Sequence, residues 1–191
     1  VEHRPNARLA MAIQSSQVDG AATVARAADD AHYSEDFITF ENHAITRKAA
    51  AIRLDTVADL QGRSLVAWQQ AYRDLGPTFE ALFNPGVTAP YIKKYQELAS
   101  QRSQNLMFWS KRVEVIVVDR TIFKWYRTEL AKEVDTRDEV EFHDIFPART
   151  TYWVAFRDAA IRDDFNAGLR SLRKTGRYQR IYEQYTQAAP D

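Results

Sequence analysis

Three places in the chain pair a strand-like stretch with residues able to recognise a small polar molecule. In open α/β sheets, ligands sit outside the carboxyl ends of strands, so the residues just after each strand are the candidates. Asp119 ends the run Val113 to Val118, which has five apolar residues of six. A carboxylate there offers what an ammonium group requires, or it caps a helix starting at Thr121. Gln69, Gln70, Ala71 and Tyr72 follow the stretch 64–68 at the start of the next helix. Free backbone N–H groups at such a start suit a carboxylate or other anion, although an ordinary connecting loop looks the same. Thr23 and Arg26 follow the stretch 19–24, offering a hydroxyl and a guanidinium, or simply a solvated surface arginine.

Other chemistry is missing. The six glycines stand at 20, 62, 76, 86, 168 and 176, and neither G-x-G-x-x-G nor a P-loop can be built from them. His3, His32, His43 and His143 contain no i, i+4 pair, so a metal site is not expected. No G-x-S-x-G elbow exists. With no cysteine, disulfides, thiolate nucleophiles and cysteine-ligated zinc are excluded. A general acid or base would have to be Asp119 or Glu41, and nothing in their spacing supports it. Neither enzyme activity nor a cofactor is expected.

The elements that position these residues alternate between strand and helix. Asn6 to Gln14 reads as a helix, with Leu9, Ala10 and Ile13 on one face. Residues 37–46 alternate as a strand does, and Asp55-Thr56 cap a short turn closed by Gly62. The stretch 64–68 reads as a buried strand, 72–83 and 98–112 as helices, and 113–118 as a strand covered on both faces. Thr121 to Val134 carries Ile122, Tyr126 and Leu130 at i, i+4, i+8, the spacing of a helix face. Residues 140–156 hold two β-rich stretches interrupted by Pro147. Asp158 then caps a helix with Ile161, Phe165, Leu169 and Leu172 on one stripe, and a last helix carries Tyr178, Ile181, Tyr182 and Tyr185. Such alternation predicts an α/β fold with mainly parallel sheet.

Composition bounds the partners. The 191 residues are 45% hydrophobic and 27% charged, as in an ordinary globular protein. Basic and acidic side chains balance at 26 each, which argues against nucleic acid as a partner, since phosphate binding needs a basic surplus. The longest aliphatic run is Val115 to Val118, too short to cross a bilayer. Trp68, Tyr33, Phe37 and Trp153 are aromatic residues placed to stack on a ligand or, as most aromatics do, to pack in the core. Trp109 and Trp125 are expected to pack on helix stripes. The basic residues from Arg170 to Arg180 are expected to form a solvated helix face.

Several segments occur together in a familiar order. They are Gln17-Val18-Asp19-Gly20, Tyr33-Ser34-Glu35-Asp36-Phe37 and the stretch Val57-Ala58-Asp59-Leu60-Gln61-Gly62-Arg63-Ser64-Leu65-Val66-Ala67. Lys111-Arg112-Val113-Glu114-Val115-Ile116-Val117-Val118-Asp119 comes next. Phe165-Asn166-Ala167-Gly168-Leu169 and Thr175-Gly176-Arg177-Tyr178-Gln179-Arg180-Ile181-Tyr182 close the set. Together they resemble the periplasmic solute-binding proteins of family 3, which include the polar amino-acid receptors of ABC importers.

The resemblance implies an α/β, two-lobed type II periplasmic-binding-protein fold with two hinge-crossing strands, at roughly 41–50 and 145–155. One lobe is expected to hold 1–46 plus 150–191, the other 47–149. The family's opening strand and helix are not found here. They are expected upstream in a longer protein, or to be disordered, or the first lobe is completed differently. The implied function is capture of a small polar, amino-acid-like solute by hinge closure and its delivery to a membrane ABC permease. The implied site takes the solute's ammonium on Asp119 and its carboxylate on Arg26, with Thr23 beside it. Arg26 stands one residue before the position, Ala27, that counting back from Tyr33-Ser34 indicates. Gln70 and Tyr72 match loop positions that line the ligand, with Gln69, Arg73 and Trp68 next to them. The chain is expected to be a periplasmic monomer whose signal peptide lies outside this sequence, which begins at Val1 rather than Met. The alternative is a sensing domain of a signalling receptor, and an ending that reads as a natural C-terminus favours the free receptor. A dehydratase-like enzyme on the same fold is the remote third reading.

Overall fold

The computed structural model describes residues 2, 6–27, 29–147 and 149–186; His3 and the closing residues beyond 186 lie outside them. In chain order the first elements are α1 (Asn6–Gln14), β1 (Gly20–Val24), β2 (His32–Tyr33), β3 (Ile38–Phe40) and β4 (Asn42–Arg47). Next come β5 (Leu65–Trp68), α2 (Ala71–Asp74), α3 (Pro77–Phe83), β6 (Tyr95–Leu98), α4 (Gln101–Trp109), β7 (Val115–Asp119) and α5 (Arg120–Leu130). The chain ends with β8 (Val140–His143), β9 (Thr150–Phe156), α6 (Ala159–Lys174) and α7 (Arg177–Thr186). These elements form two compact units. One comprises residues up to Phe40 and from Thr151, and the other Glu41–Thr150.

The unit 41–150 is built on a five-stranded sheet in the order β6-β5-β7-β4-β8. β5 runs parallel to both β6 and β7, whereas β4 is antiparallel to β7 and β8. Four strands therefore share one direction and β4 alone opposes them, because it enters from the other unit instead of through a crossover helix. β7 is buried along its whole length, and the alternation of the strand explains how both faces are apolar. Val115 and Val117 face a core with Leu60, Leu65, Ala67, Phe79 and Phe83. Ile116 and Val118 face a second core with Ile45, Val66, Phe108, Trp109 and Phe123. Each such side chain contributes roughly 1.5–3 kcal/mol on leaving water.

Three local readings need correction in this unit. The helix expected over 72–83 is broken into α2 and α3 at Gly76-Pro77. Gly76 has φ +92°, and Pro77 occupies the first turn of α3, where its missing N–H costs nothing. The helix expected over 98–112 starts at Gln101, capped by Ser100 accepting from the Ser103 N–H, and the residues before it form β6. β6 is an edge strand with mostly half-exposed side chains, so no apolar run marks it in the sequence. Trp125, expected to pack, is 41% exposed.

In the other unit, β9 is the hub of the sheet. β1 and β2 each pair with it antiparallel, and β3 also pairs with it. The expectation of mainly parallel sheet does not hold here, because β9 is the returning chain and runs against β1 and β2. At Gly20 an added Cβ would lie 2.9 Å from the Phe156 ring, so glycine permits this close pairing. Asp158 caps α6 by accepting from the Ala160 and Ile161 N–H groups at 2.7 and 3.1 Å, as its sequence position predicts. α6 is docked by Phe165, whose ring lies 5.9 Å from Phe37 and 5.2 Å from Phe156. Asn166 Oδ1 also accepts from the Glu35 N–H at 2.9 Å. Ile161, read as part of the apolar stripe, is 48% exposed.

Candidate functional site

Strands β5 and β7 lie side by side, so their carboxyl ends bring two of the three sequence candidates to one end of a sheet. Asp119 is the last residue of β7, 4% exposed. Its Oδ1 accepts from the N–H groups of Thr121 and Ile122 at 2.8 and 3.0 Å, capping α5. Its Oδ2 accepts from the Glu41 N–H at 2.9 Å. One carboxylate thus ties the start of α5 to the segment by which the chain enters the unit. Burial pushes the Asp119 carboxyl above its ordinary range, and the three backbone N–H donors pull it back down without cancelling the effect. Asn42, the next residue on the entering strand, pairs across with Asp119 and donates from Nδ2 to Thr150 Oγ1 at 3.1 Å. Both passages of the chain are therefore fastened beside Asp119. The exposed Glu41 carboxylate pairs with Arg149 at 3.4 Å.

At the end of β5 the loop turns through Gln70, which has a left-handed backbone with φ 62° and ψ 20°. A residue other than glycine in that region carries strain, of order 1–3 kcal/mol when it is held at a functional turn. The Gln70 N–H donates to Glu97 Oε2 at 3.0 Å, and Glu97 Oε1 accepts from the Tyr95 hydroxyl at 2.8 Å. Glu97 thus supports the turn from the neighbouring strand β6, and burial together with the Glu97 charge pushes the Tyr95 hydroxyl well above its ordinary range. Trp68 belongs to the core, with its Nε1–H donating to Asp74 Oδ2 at 3.0 Å. Tyr72 is half-buried, and the exposed Arg73 lies over its ring at 5.6 Å. Gln69 Oε1 is buried and lacks a hydrogen-bond partner among the described residues. Trp68, Gln69, Gln70, Tyr72 and Arg73 are thus gathered on one turn, with Asp119 on the adjoining strand.

Thr23 and Arg26 belong to the other unit. Thr23 has φ 62° and is the extra residue of a β-bulge, since Ala22 faces Val154 while Val24 faces Trp153. Such a bulge bends the strand and re-aims its side chains. The exposed Arg26 donates from Nη2 to the Ser34 carbonyl at 3.2 Å, and its guanidinium carbon lies 4.9 Å from the Trp153 ring centre. Trp153 is itself fixed by its Nε1–H donating to Asp36 Oδ1 at 2.9 Å. A stacked guanidinium held at one edge retains donors for a carboxylate. Tyr33 is engaged nearby, donating to Asp29 and accepting from the Ala27 N–H.

Sequence reasoning missed Glu97, Asp74 and Asp36, the carboxylates that steady the candidate loops. The sequence contained a signal for Glu97, the Tyr95-x-Glu97 pattern on a strand parallel to β5. Among the described residues no group of three or more His, Cys, Asp and Glu is arranged to hold a metal ion. Nor is any helix among them long and apolar enough to cross a membrane.

No family model matches the sequence, and no curated protein matches it. Solved structures do match the fold. A mutant of ArgBP from T. maritima has a TM-score of 0.71 at 18% identity, covering 97% of this chain and 76% of that one. An ABC uptake transporter substrate-binding protein from Streptococcus pneumoniae with bound histidine has a TM-score of 0.72 at 18% identity, covering 96% and 74%. A histidine kinase sensor domain with similarity to periplasmic binding proteins has a TM-score of 0.72 at 20% identity, covering 97% and 78%. The chain has the two-unit α/β fold of the periplasmic solute-binding proteins.

Proposed function

We propose that this chain captures a small polar, amino-acid-like solute between its two units and releases it unchanged. The observation that carries this reading is the pair of loop sites at the ends of strands in units joined by two chain passages, on a fold shared with a histidine-bound transporter protein. Arg26 and Thr23 bind the solute's carboxylate from one unit. Gln69, Gln70, Tyr72 and Arg73 line the site from the other, backed by Trp68, and Asp119 meets the ammonium group while capping α5. A solute bridging both units binds the closed form better and shifts the population toward it. The hinge lies where the chain passes between units, near 40–41 and 150–151. The protein works outside the cytoplasm and delivers its solute to an ABC permease.

A thermal-shift screen of the chain against amino acids, small organic acids and polyamines tests the proposal. A ligand at about 100 times its Kd stabilises a protein by about 2.7 kcal/mol, several degrees for a chain of this size. At least one amino-acid-like compound is expected to do so, and a flat screen contradicts solute capture.

The likeness to the histidine kinase sensor domain favours a second reading, in which closure on the solute is read out as a signal. The gene separates the two. Neighbouring permease genes support transport, and a product that continues past Asp191 into a membrane span and a kinase supports sensing.

A further inference from the structure

Arg26 is an exposed arginine, and ordering so long a side chain ordinarily costs rotamer freedom. Here two contacts order it in advance. Its guanidinium carbon lies 4.9 Å from the Trp153 ring centre, and its Nη2 donates to the Ser34 carbonyl at 3.2 Å. Both supports rest on neighbouring residues of β9. Trp153 is the first. The second is Val154, whose N–H donates to Ser34 Oγ at 2.9 Å and whose carbonyl accepts from the Ser34 N–H at 2.8 Å. Ser34 is 1% exposed, so the carbonyl that takes Arg26 belongs to a residue clamped to the sheet.

The indole has a support of its own. Trp153 is half-buried, and such a ring is oriented by the partner of its N–H. That partner is the exposed Asp36, whose Oδ1 accepts from Nε1–H at 2.9 Å. Asp36 is held in turn, because its carbonyl accepts from Arg173 of α6. The next residue, Phe37, packs on Phe165, and its carbonyl accepts from the Tyr178 hydroxyl at 2.6 Å. A chain of contacts therefore runs from α6 and α7 through Asp36 and Trp153 to Arg26, all inside one unit. The Thr23 bulge completes it by bringing Val24 opposite Trp153, two residues before Arg26.

We propose that Trp153 and Asp36 are positioning residues for carboxylate recognition by Arg26: Asp36 orients the indole, and the indole orders the guanidinium. The inference rests on the assignment of Arg26 to the solute's carboxylate. Among the described residues Nε and Nη1 of Arg26 make no hydrogen bond, so both remain for the solute. A guanidinium ordered before binding loses less freedom when it meets its partner. It also discriminates, since a carboxylate accepts on two oxygens and a carboxamide on one.

Calorimetry of the intact chain with each of the twenty L-amino acids and its α-carboxamide tests this. Wild type is expected to prefer the acid of a bound pair at least tenfold. Asp36→Ala, a surface change, and Trp153→Leu are each expected to reduce that preference about fivefold, the scale of an exposed cation–π contact. Asp36→Asn keeps an acceptor for the indole and is expected to stay within twofold of wild type. In an Arg26→Gln background, adding Asp36→Ala is expected to cost less than a further twofold. Should Trp153→Leu fail to fold, the two Asp36 variants decide the matter. An acid preference unchanged in Asp36→Ala, equal losses for acid and amide, or the same loss with and without Arg26 would each overturn the inference while leaving solute capture standing. Binding of none of the twenty overturns both.

Discussion

Asp119→Ala and Asp119→Asn are expected to part company, because the side chain supports the fold through hydrogen bonds and the proposed site through charge. Alanine removes the acceptor for Thr121 and Ile122 and leaves the Glu41 N–H without its partner. Loss of an N-cap costs about 1 kcal/mol and an unpaired buried N–H about 1–3 kcal/mol. Relief of a buried charge offsets part of this, so Asp119→Ala should lower stability by about 2–3 kcal/mol in urea unfolding. Asparagine keeps a capping oxygen and should stay within about 1 kcal/mol of wild type. The pH dependence has a definite sign. Burial raises the folded-state pKa of Asp119, so its contribution is full below the unfolded value and is lost as pH rises through the folded one. The advantage of wild type over Asp119→Asn should therefore grow as pH falls from neutral toward the carboxylate range. In calorimetry at neutral pH, Asp119→Asn should bind the solute at least tenfold more weakly, about 1.4 kcal/mol. Equal stability of alanine and wild type would refute the capping argument, and unchanged affinity in the asparagine variant would remove Asp119 from the site.

Thr23→Gly should raise the melting temperature, because glycine releases a β-branched residue from φ 62°, and about 1 kcal/mol is expected after glycine's entropic cost; a lower melting temperature would show that the bulge holds no such strain. Arg26→Gln should change stability by less than about 1 kcal/mol, the scale of an exposed cation–π contact, yet weaken solute binding at least tenfold by calorimetry. For Glu114 the pH dependence runs opposite to that of Asp119. Burial would raise its carboxyl, but the Ser64 N–H and hydroxyl and Arg63 outweigh burial and hold it below its ordinary range. Its contribution is present at neutral pH and lost as pH falls through the folded-state value. The stability advantage of wild type over Glu114→Gln should accordingly shrink in acid, and an advantage that grew there would reverse the assignment.

How far the fold could be read depended on whether a residue's partners were local. α1, β7, α5 and α6 were legible because a strand buried on both faces or a helix stripe writes its period into the sequence, and Asp158 announces its helix by capping it. Gly76-Pro77 was a local break overlooked inside an apolar stretch. β6 was illegible for a different reason: an edge strand with half-exposed side chains needs no apolar run, and its place is defined by pairing with β5. The site divides the same way. Asp119 and the 69–73 turn followed from the rule that ligands meet strand ends. The Thr23 bulge depends on the register of β1 against β9, and the left-handed turn at Gln70 depends on Glu97 reaching across from β6. Neither long-range partner leaves a mark near the residue it positions.

The most direct test of solute capture by closure is small-angle X-ray scattering of the chain alone and saturated with the strongest compound from the amino-acid screen. The account predicts a smaller radius of gyration for the saturated chain, as two units close on a shared ligand. A bound solute that leaves the radius unchanged would contradict closure.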